Sequence, residues 1–276
     1  MVVGNKAGMA RVAETEGKGR RVIDRPLVLS LFPGIGLLDR AFEEEGFCVV
    51  RGPDCLWGGD QRRFVTPCGK FDGIIGGPPC QAFSRLAHMV RQNGYKPKFG
   101  NLIPEFERSV SEGQPAWFLM EEVPDAPIPA VDGYGVRYRL LNNRWLGEPQ
   151  NRLRMISFGV LGRGRPLPIQ VEALMSMDYE YAATGGSNRE IPVAIGGSGK
   201  PKKHGREGRS RLPFNTKSAA FRELCRKQGL PDEFDLPPFT VSAKCQAVGN
   251  GVPLRMGRAI AQAVKQAMNY QLEQSA

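Results

Sequence analysis

Apolar and polar positions along this chain follow two periods, one of strands and one of helices. Leu27-Val-Leu-Ser-Leu31 is a short apolar run. It is followed by Phe32-Pro-Gly-Ile-Gly36 and by Leu37 to Glu45, where apolar residues recur at helical spacing. That is strand, glycine turn, helix. A second strand is expected over Phe47 to Val50, ending near Asp54, and a third over Phe71 to Ile75, running into Gly76-Gly-Pro-Pro-Cys-Gln81. Ala116 to Met120 predicts a further strand that ends in Glu121-Glu-Val123, and Met155 to Leu161 another behind Gln150-Asn-Arg-Leu-Arg154. Such alternation implies an α/β fold with a parallel sheet. Ligands of such sheets bind where strand ends open into a crevice, and here the polar residues gather at those ends.

The rhythm divides the chain. Met1 to Arg21 mixes Gly, Lys, Arg and Glu without periodicity, so residues 1–22 read as a flexible tail. A main domain is expected over 23–162. From about Gly162 to Phe214 the βα rhythm gives way to Gly, Pro and basic residues, which suggests a small inserted domain over 163–237. A helix predicted over Ala219 to Gln228 precedes Gly229-Leu-Pro-Asp-Glu-Phe234. An amphipathic helix over Arg255 to Met268 lies in a C-terminal segment, 238–276, expected to return to the main domain.

Composition narrows the chemistry. The 276 residues carry 38 Lys and Arg against 28 Asp and Glu, a net charge of +10 that favours a polyanionic partner such as nucleic acid. The six cysteines form no CxxC pair and there are only two histidines, so neither a zinc site nor a disulfide framework is suggested and a reducing cytosol is expected. No apolar run approaches the ~18 residues of a membrane helix. These features lead us to expect a cytoplasmic protein without metal or membrane; a monomer is a separate expectation.

Individual residues leave alternatives open. The turn Phe32 to Gly36 suits close approach of a cofactor to the backbone, or is packing punctuation. Asp54 fits an acid that binds ribose hydroxyls, or an ordinary turn aspartate. In Gly77-Pro-Pro-Cys-Gln81 two prolines fix the backbone beside Cys80 at the mouth of the sheet, a rigid setting that suits a nucleophile better than a buried thiol. Glu121 would sit on the same rim. Gly199-Lys-Pro-Lys-Lys203 is not a phosphate-binding P-loop, because Pro201 stands where Ser or Thr is required.

Taken in order, Gly77-Pro-Pro-Cys-Gln81, Glu121-Glu-Val123, Gln150-Asn-Arg-Leu-Arg154 and Gln246-Ala-Val-Gly-Asn-Gly-Val252 resemble the signature of the cytosine carbon-5 DNA methyltransferases. The resemblance covers about Leu27 to Phe158 and Phe221 onward. It implies a Rossmann-like S-adenosylmethionine-dependent sheet with a small inserted target-recognition domain, double-stranded DNA as partner, and a flipped-out cytosine as substrate. It makes Cys80 the thiolate that adds to carbon 6 and Glu121 the holder of a proton on ring nitrogen 3. Arg152 and Arg154, pointing the same way by strand alternation, would reach the base, its phosphate or Cys80. Phe32, Gly34, Gly36, Asp54, Asp60, Pro78 and Asn250 match positions that line the cofactor pocket. Ser84 to Gly100 resembles the loop that closes over the extruded base, or is a solvated basic loop, and Gln81, Ser84 and Arg85 are the expected DNA contacts there.

The chain departs from this pattern in three places: Ser30 replaces the acid before the glycine turn, Leu37 a glycine, and Glu122 the asparagine of the Glu-Asn-Val motif. Adjacent carboxylates would point to opposite faces. Were Glu122 close, repulsion would raise one pKa and help Glu121 stay protonated. In the insert, Lys200, Lys202, Lys203 and Arg206 read as phosphate contacts with little sequence readout, which predicts a short or relaxed target. A tRNA cytosine methyltransferase of the same fold and a catalytically silent DNA-binding relative are the alternatives, and membership of a restriction-modification pair is a further expectation.

Overall fold

The computed structural model describes residues 25–79, 83, 100–171, 180–181 and 216–273. Its centre is a six-stranded sheet built from β1 (Leu27–Leu31), β2 (Cys48–Arg51), β3 (Gly73–Gly76), β4 (Trp117–Glu122), β5 (Tyr134–Asn142) and β7 (Leu153–Leu161), in the order β2-β1-β3-β4-β7-β5. β1 to β4 run parallel, as alternating strands and helices require. The parallel part of the sheet is extended by β7, which is antiparallel to both β4 and β5. β5 and β7 follow one another without a crossover helix, and a short connection can only return a strand antiparallel. A two-residue pair, β6 (Gln150–Asn151) with β8 (Glu180–Tyr181), stands apart.

Helices cover both faces. On one, α1 (Leu37–Glu44) and α5 (Leu254–Glu273) pack over Val28, Ile75, Trp117, Leu119, Ile156 and Phe158. On the other, α2 (Ile103–Gly113) brings Ile103, Phe106 and Val110 against Leu29, Ile74 and Phe118. β4 is buried along its whole length, which explains why its sequence reads as a continuous apolar run up to the two glutamates. Trp117 sits at the centre of one core, 6.4 Å from the Phe42 ring and 6.1 Å from that of Phe158.

A third cluster joins α3 (Thr216–Lys227) and α4 (Val241–Asn250) to α1 through Phe221, Cys225, Cys245, Val248, Leu37 and Ala41. Residues from Phe221 therefore share a core with the helices that flank the sheet, before the boundary expected at 237/238. The tail 1–22 and most of the insert, 172–179 and 182–215, lie outside the described residues.

Candidate active site

The glycine turn leaves β1 through three left-handed residues, Phe32, Gly34 and Gly36. Phe32 has φ 55°, which costs a non-glycine residue on the order of 1 kcal/mol, and Gly36, the residue capping α1, has φ 76°. Only glycine takes the latter freely. Gly34 is tied from both sides: its amide donates to Asp54 Oδ2 at 2.9 Å and its carbonyl accepts from the Trp57 indole at 2.7 Å. The other Asp54 oxygen accepts from Leu56 at 2.7 Å, so this aspartate fills the turn-capping role and also pins the glycine turn. Asp60 caps the next turn through Arg62 and holds its guanidinium at 2.9 Å, a contact that lowers the Asp60 pKa. Pro78 is buried just beyond β3.

Two of the departures from the family pattern have partners here. Ser30 donates to Asp39 Oδ1 at 2.5 Å, and Arg51 donates to the other oxygen at 2.9 Å, so an acid is supplied from α1 where the strand lacks one. Burial raises the Asp39 pKa despite these bonds. Leu37 packs so closely on the turn after α4 that a Cβ at Gly251 would lie 2.6 Å from its Cδ1. Asn250, exposed at the end of α4, is thereby brought to the start of α1, beside the glycine turn.

A buried clamp holds this junction. The Gln228 side chain donates to the carbonyls of Val248 at 2.7 Å and Gly251 at 2.8 Å. Arg152, 2% exposed, donates to Gly249 at 3.1 Å and Gly251 at 3.0 Å. The expectation that Arg152 and Arg154 point the same way is corrected, because Arg152 lies between β6 and β7 and strand alternation does not reach it. Arg154, on β7, instead places Nε 2.8 Å from Glu121 Oε1.

Glu121 and Glu122 end β4 on opposite faces of the sheet, 8% and 2% exposed. The Glu121 carboxylate approaches the chain leading to Cys80: a Cβ at Gly77 would lie 3.3 Å from its Oε2. Glu122 Oε2 accepts from the Val123 amide at 2.8 Å. Burial pushes the Glu122 pKa up to about 8, with the Glu121 charge adding to the rise and the Val123 amide and Arg154 opposing it. The rise at Glu122 is thus due first to burial and only in part to the neighbouring carboxylate.

Cys80, Gln81, Ser84, Arg85, Lys200, Lys202, Lys203 and Arg206 lie outside the described residues. Trp57 and Gln228 were not foreseen. The tryptophan in Cys55-Leu-Trp57, close behind Asp54, was the available signal for the first; the second has none, since a glutamine at a helix end is ordinary. Among the described residues no cluster of His, Cys, Asp and Glu could hold a metal, and no helix is long and apolar enough to cross a membrane.

Comparisons with known proteins agree with this geometry. The profile of the C-5 cytosine-specific DNA methylases matches residues 60–126, from Asp60 through the Pro-Pro-Cys turn to just beyond Glu121 and Glu122. Type II methyltransferase M.BanI of Aneurinibacillus aneurinilyticus is 35% identical over 130 residues, 42% of this chain and only 30% of that protein. Type II methyltransferase M.MthTI of Methanothermobacter thermautotrophicus is 25% identical over an alignment covering 86% of this chain and 96% of its own length. Among solved structures, a putative DNA modification methyltransferase encoded in an E. coli prophage has the same fold, with a TM-score of 0.52 at 19% identity, covering 88% of this chain and 99% of that one. Residues 60–126 thus carry the pattern of the C-5 cytosine-specific DNA methylases, and the chain around them is similar to type II methyltransferases.

Proposed function

We propose that the chain transfers a methyl group from S-adenosylmethionine to carbon 5 of cytosine in duplex DNA, with Cys80 as covalent nucleophile. The observation that carries this reading is the approach of Glu121 to both Gly77 and Arg154. It sets a carboxyl group beside Gly77, three residues before Cys80 in the sequence. Carbon 5 of cytosine is a poor nucleophile. Addition of the Cys80 thiolate to carbon 6, with a proton held on ring nitrogen 3 by Glu121, turns carbons 4 to 6 into an enamine whose carbon 5 carries the electron pair. After transfer, loss of the carbon-5 proton and expulsion of the thiolate restore the ring.

The residues around the glycine turn fit the cofactor. An added Cβ at Gly34 would meet nothing within 4 Å, and Asp54, Trp57 and Asn250 surround the turn. When bound, S-adenosylmethionine supplies an electrophilic methyl group on a sulfonium centre. Phe32, Gly34, Gly36 and Pro78 would shape the pocket, Asp54 and Asp60 would face its polar atoms, and Arg154 would hold Glu121 toward the base.

Because carbon 6 is inaccessible in a stacked duplex, the base must be extruded. Gln81, Ser84 and Arg85 would meet it from the loop, while Lys200, Lys202, Lys203 and Arg206 would neutralise phosphates, consistent with the charge of +10. Residues 23–162 with the C-terminal segment would form the catalytic unit, and the insert would read the target.

Mass spectrometry of nucleosides tests the reading. Duplex DNA and tRNA are incubated side by side with the purified chain and S-adenosylmethionine. 5-Methyl-2′-deoxycytidine from the duplex, lost in Cys80→Ala, is the expected result. Methylation of tRNA alone would move the substrate to RNA, and methylation of neither would overturn the proposal.

A further inference from the structure

Glu122 stands where the family's motif has an uncharged asparagine, and its surroundings are those of an uncharged group. It is 2% exposed. One oxygen accepts from Val123 at 2.8 Å, and Oε1 is buried with no hydrogen-bond partner among the described residues. An ionised carboxylate in that state would leave half its charge unsolvated, a far larger penalty than leaving an un-ionised group there. The neighbouring charges do not compensate, because the attraction of Arg154 is smaller than the repulsion of Glu121. Glu121, on the same strand, repels it, and Arg154, on β7, is 2.8 Å from Glu121. β3 contributes only Gly73-Ile-Ile-Gly76. The charged groups of α2 are engaged elsewhere, Glu105 and Glu112 with Arg108, and Glu107 with the Ala130 amide.

We infer that Glu122 is a positioning residue that serves as a neutral carboxylic acid, anchoring the end of β4 through Val123 and leaving Arg154 wholly to Glu121. Its carbonyl oxygen performs the acceptor function of an amide, and its retained proton keeps a second negative charge away from the Glu121–Arg154 pair. Ionisation would put two carboxylates against one guanidinium and loosen the geometry on which Glu121 depends. The inference rests on the role given to Glu121 above. The burial of Glu122 and its unpartnered oxygen carry it, and the raised pKa agrees.

The sign of its pH dependence follows. The folded state keeps this proton up to about pH 8, whereas the unfolded chain loses it in the ordinary carboxylate range, so stability falls as pH rises through that window.

Two measurements on the full chain test this between pH 5 and 9.5: the turnover number with duplex DNA, and the thermal midpoint by circular dichroism. Glu122→Ala is expected to lose about tenfold or more in kcat at pH 7, and Glu122→Gln to restore most of it. In the parent, kcat should fall about tenfold per unit above pH 8, with a thermal midpoint that declines from pH 5 to 8, and Glu122→Gln should lack both declines. If parent and Glu122→Gln share the same alkaline limb and the same dependence of the midpoint on pH, the inference is overturned. A chain that methylates neither DNA nor tRNA sinks only the functional reading, and the thermal series then decides this one. Should Glu122→Gln fail to fold, carbon-13 NMR of glutamate-labelled parent replaces it. A carboxyl still protonated at pH 7 supports the inference, and ionisation of every glutamate by pH 6 overturns it.

Discussion

The two rims of the site are built on different physical terms. Around the glycine turn, Asp54 and Asp60 are partly exposed, and their charges are met by backbone amides and, for Asp60, the Arg62 guanidinium. At the end of β4 the carboxylates are buried, and Arg154 is the guanidinium that faces Glu121. Water stabilises charge on the first rim; on the second, the protein alone must do so. Substitutions on the first should therefore act mainly on cofactor affinity, whereas those on the second should change stability and chemistry together.

The largest effect is expected on the buried rim. Arg154→Ala strands Glu121 without its counter-charge and should cost about 3–5 kcal/mol in chemical denaturation, with methylation lost. Glu121→Gln removes the charge from the same pair and should cost less stability while lowering kcat by about 10²–10⁴. If Glu121→Gln/Arg154→Met regains the parent's stability and still fails to methylate, the pair's catalytic role is separated from its structural one. Equal kcat in Glu121→Gln and the parent would remove Glu121 from the mechanism.

Next in size is the clamp that links the two rims. Arg152→Met strips the Gly249 carbonyl of its guanidinium donor, at about 1–3 kcal/mol, whereas Gln228→Leu takes one of two donors from each of the Val248 and Gly251 carbonyls and should cost about 1 kcal/mol. Because Asn250 lies among residues 248–251, both should also weaken S-adenosylmethionine binding by calorimetry. Stability loss with unchanged affinity would detach the clamp from the cofactor pocket.

How far the sequence revealed this architecture depends on the kind of signal each element carries. β1, α1 and β4 have strong periods and were located to within a few residues. β5 was missed because it is an edge strand whose Arg137, Tyr138, Arg139 and Leu140 are all exposed, leaving no alternation to detect. α4 was missed because Gly249-Asn-Gly251 looks like a turn, yet the helix runs on to Asn250, its carbonyls held by Arg152 and Gln228. The direction of β7, and the break between β6 and β7 that turns Arg152 toward residues 249–251, are tertiary properties that local spacing does not encode. Motif order, in contrast, brought Glu121, Arg154 and Asn250 to notice without coordinates, because these residues lie near the ends of β4, β7 and α4.

Smaller effects belong to the exposed rim. Asp54→Asn keeps the size of the side chain but turns one acceptor oxygen into a donor, so it can cap either Gly34 or Leu56, not both. About 1 kcal/mol of stability should be lost, with a several-fold weaker cofactor complex.

The smallest prediction separates the two functions of Trp57. Its indole N–H fixes the Gly34 carbonyl at 2.7 Å, while its ring, 57% exposed and 5.4 Å from Phe239, offers a flat apolar wall beside the glycine turn. Trp57→Phe removes the donor and keeps a ring, and the Gly34 carbonyl can turn to water, so affinity for S-adenosylmethionine should fall only about threefold, the net worth of one hydrogen bond near 0.6 kcal/mol. Trp57→Ala removes both, and a stacked aromatic contact of about 1 kcal/mol would bring the loss to roughly tenfold or more. If calorimetry finds the two variants equally weak, the hydrogen bond to the turn is the whole contribution of Trp57. If neither differs from the parent, the cofactor does not lie against this wall, and the exposed rim is narrower than its residues imply.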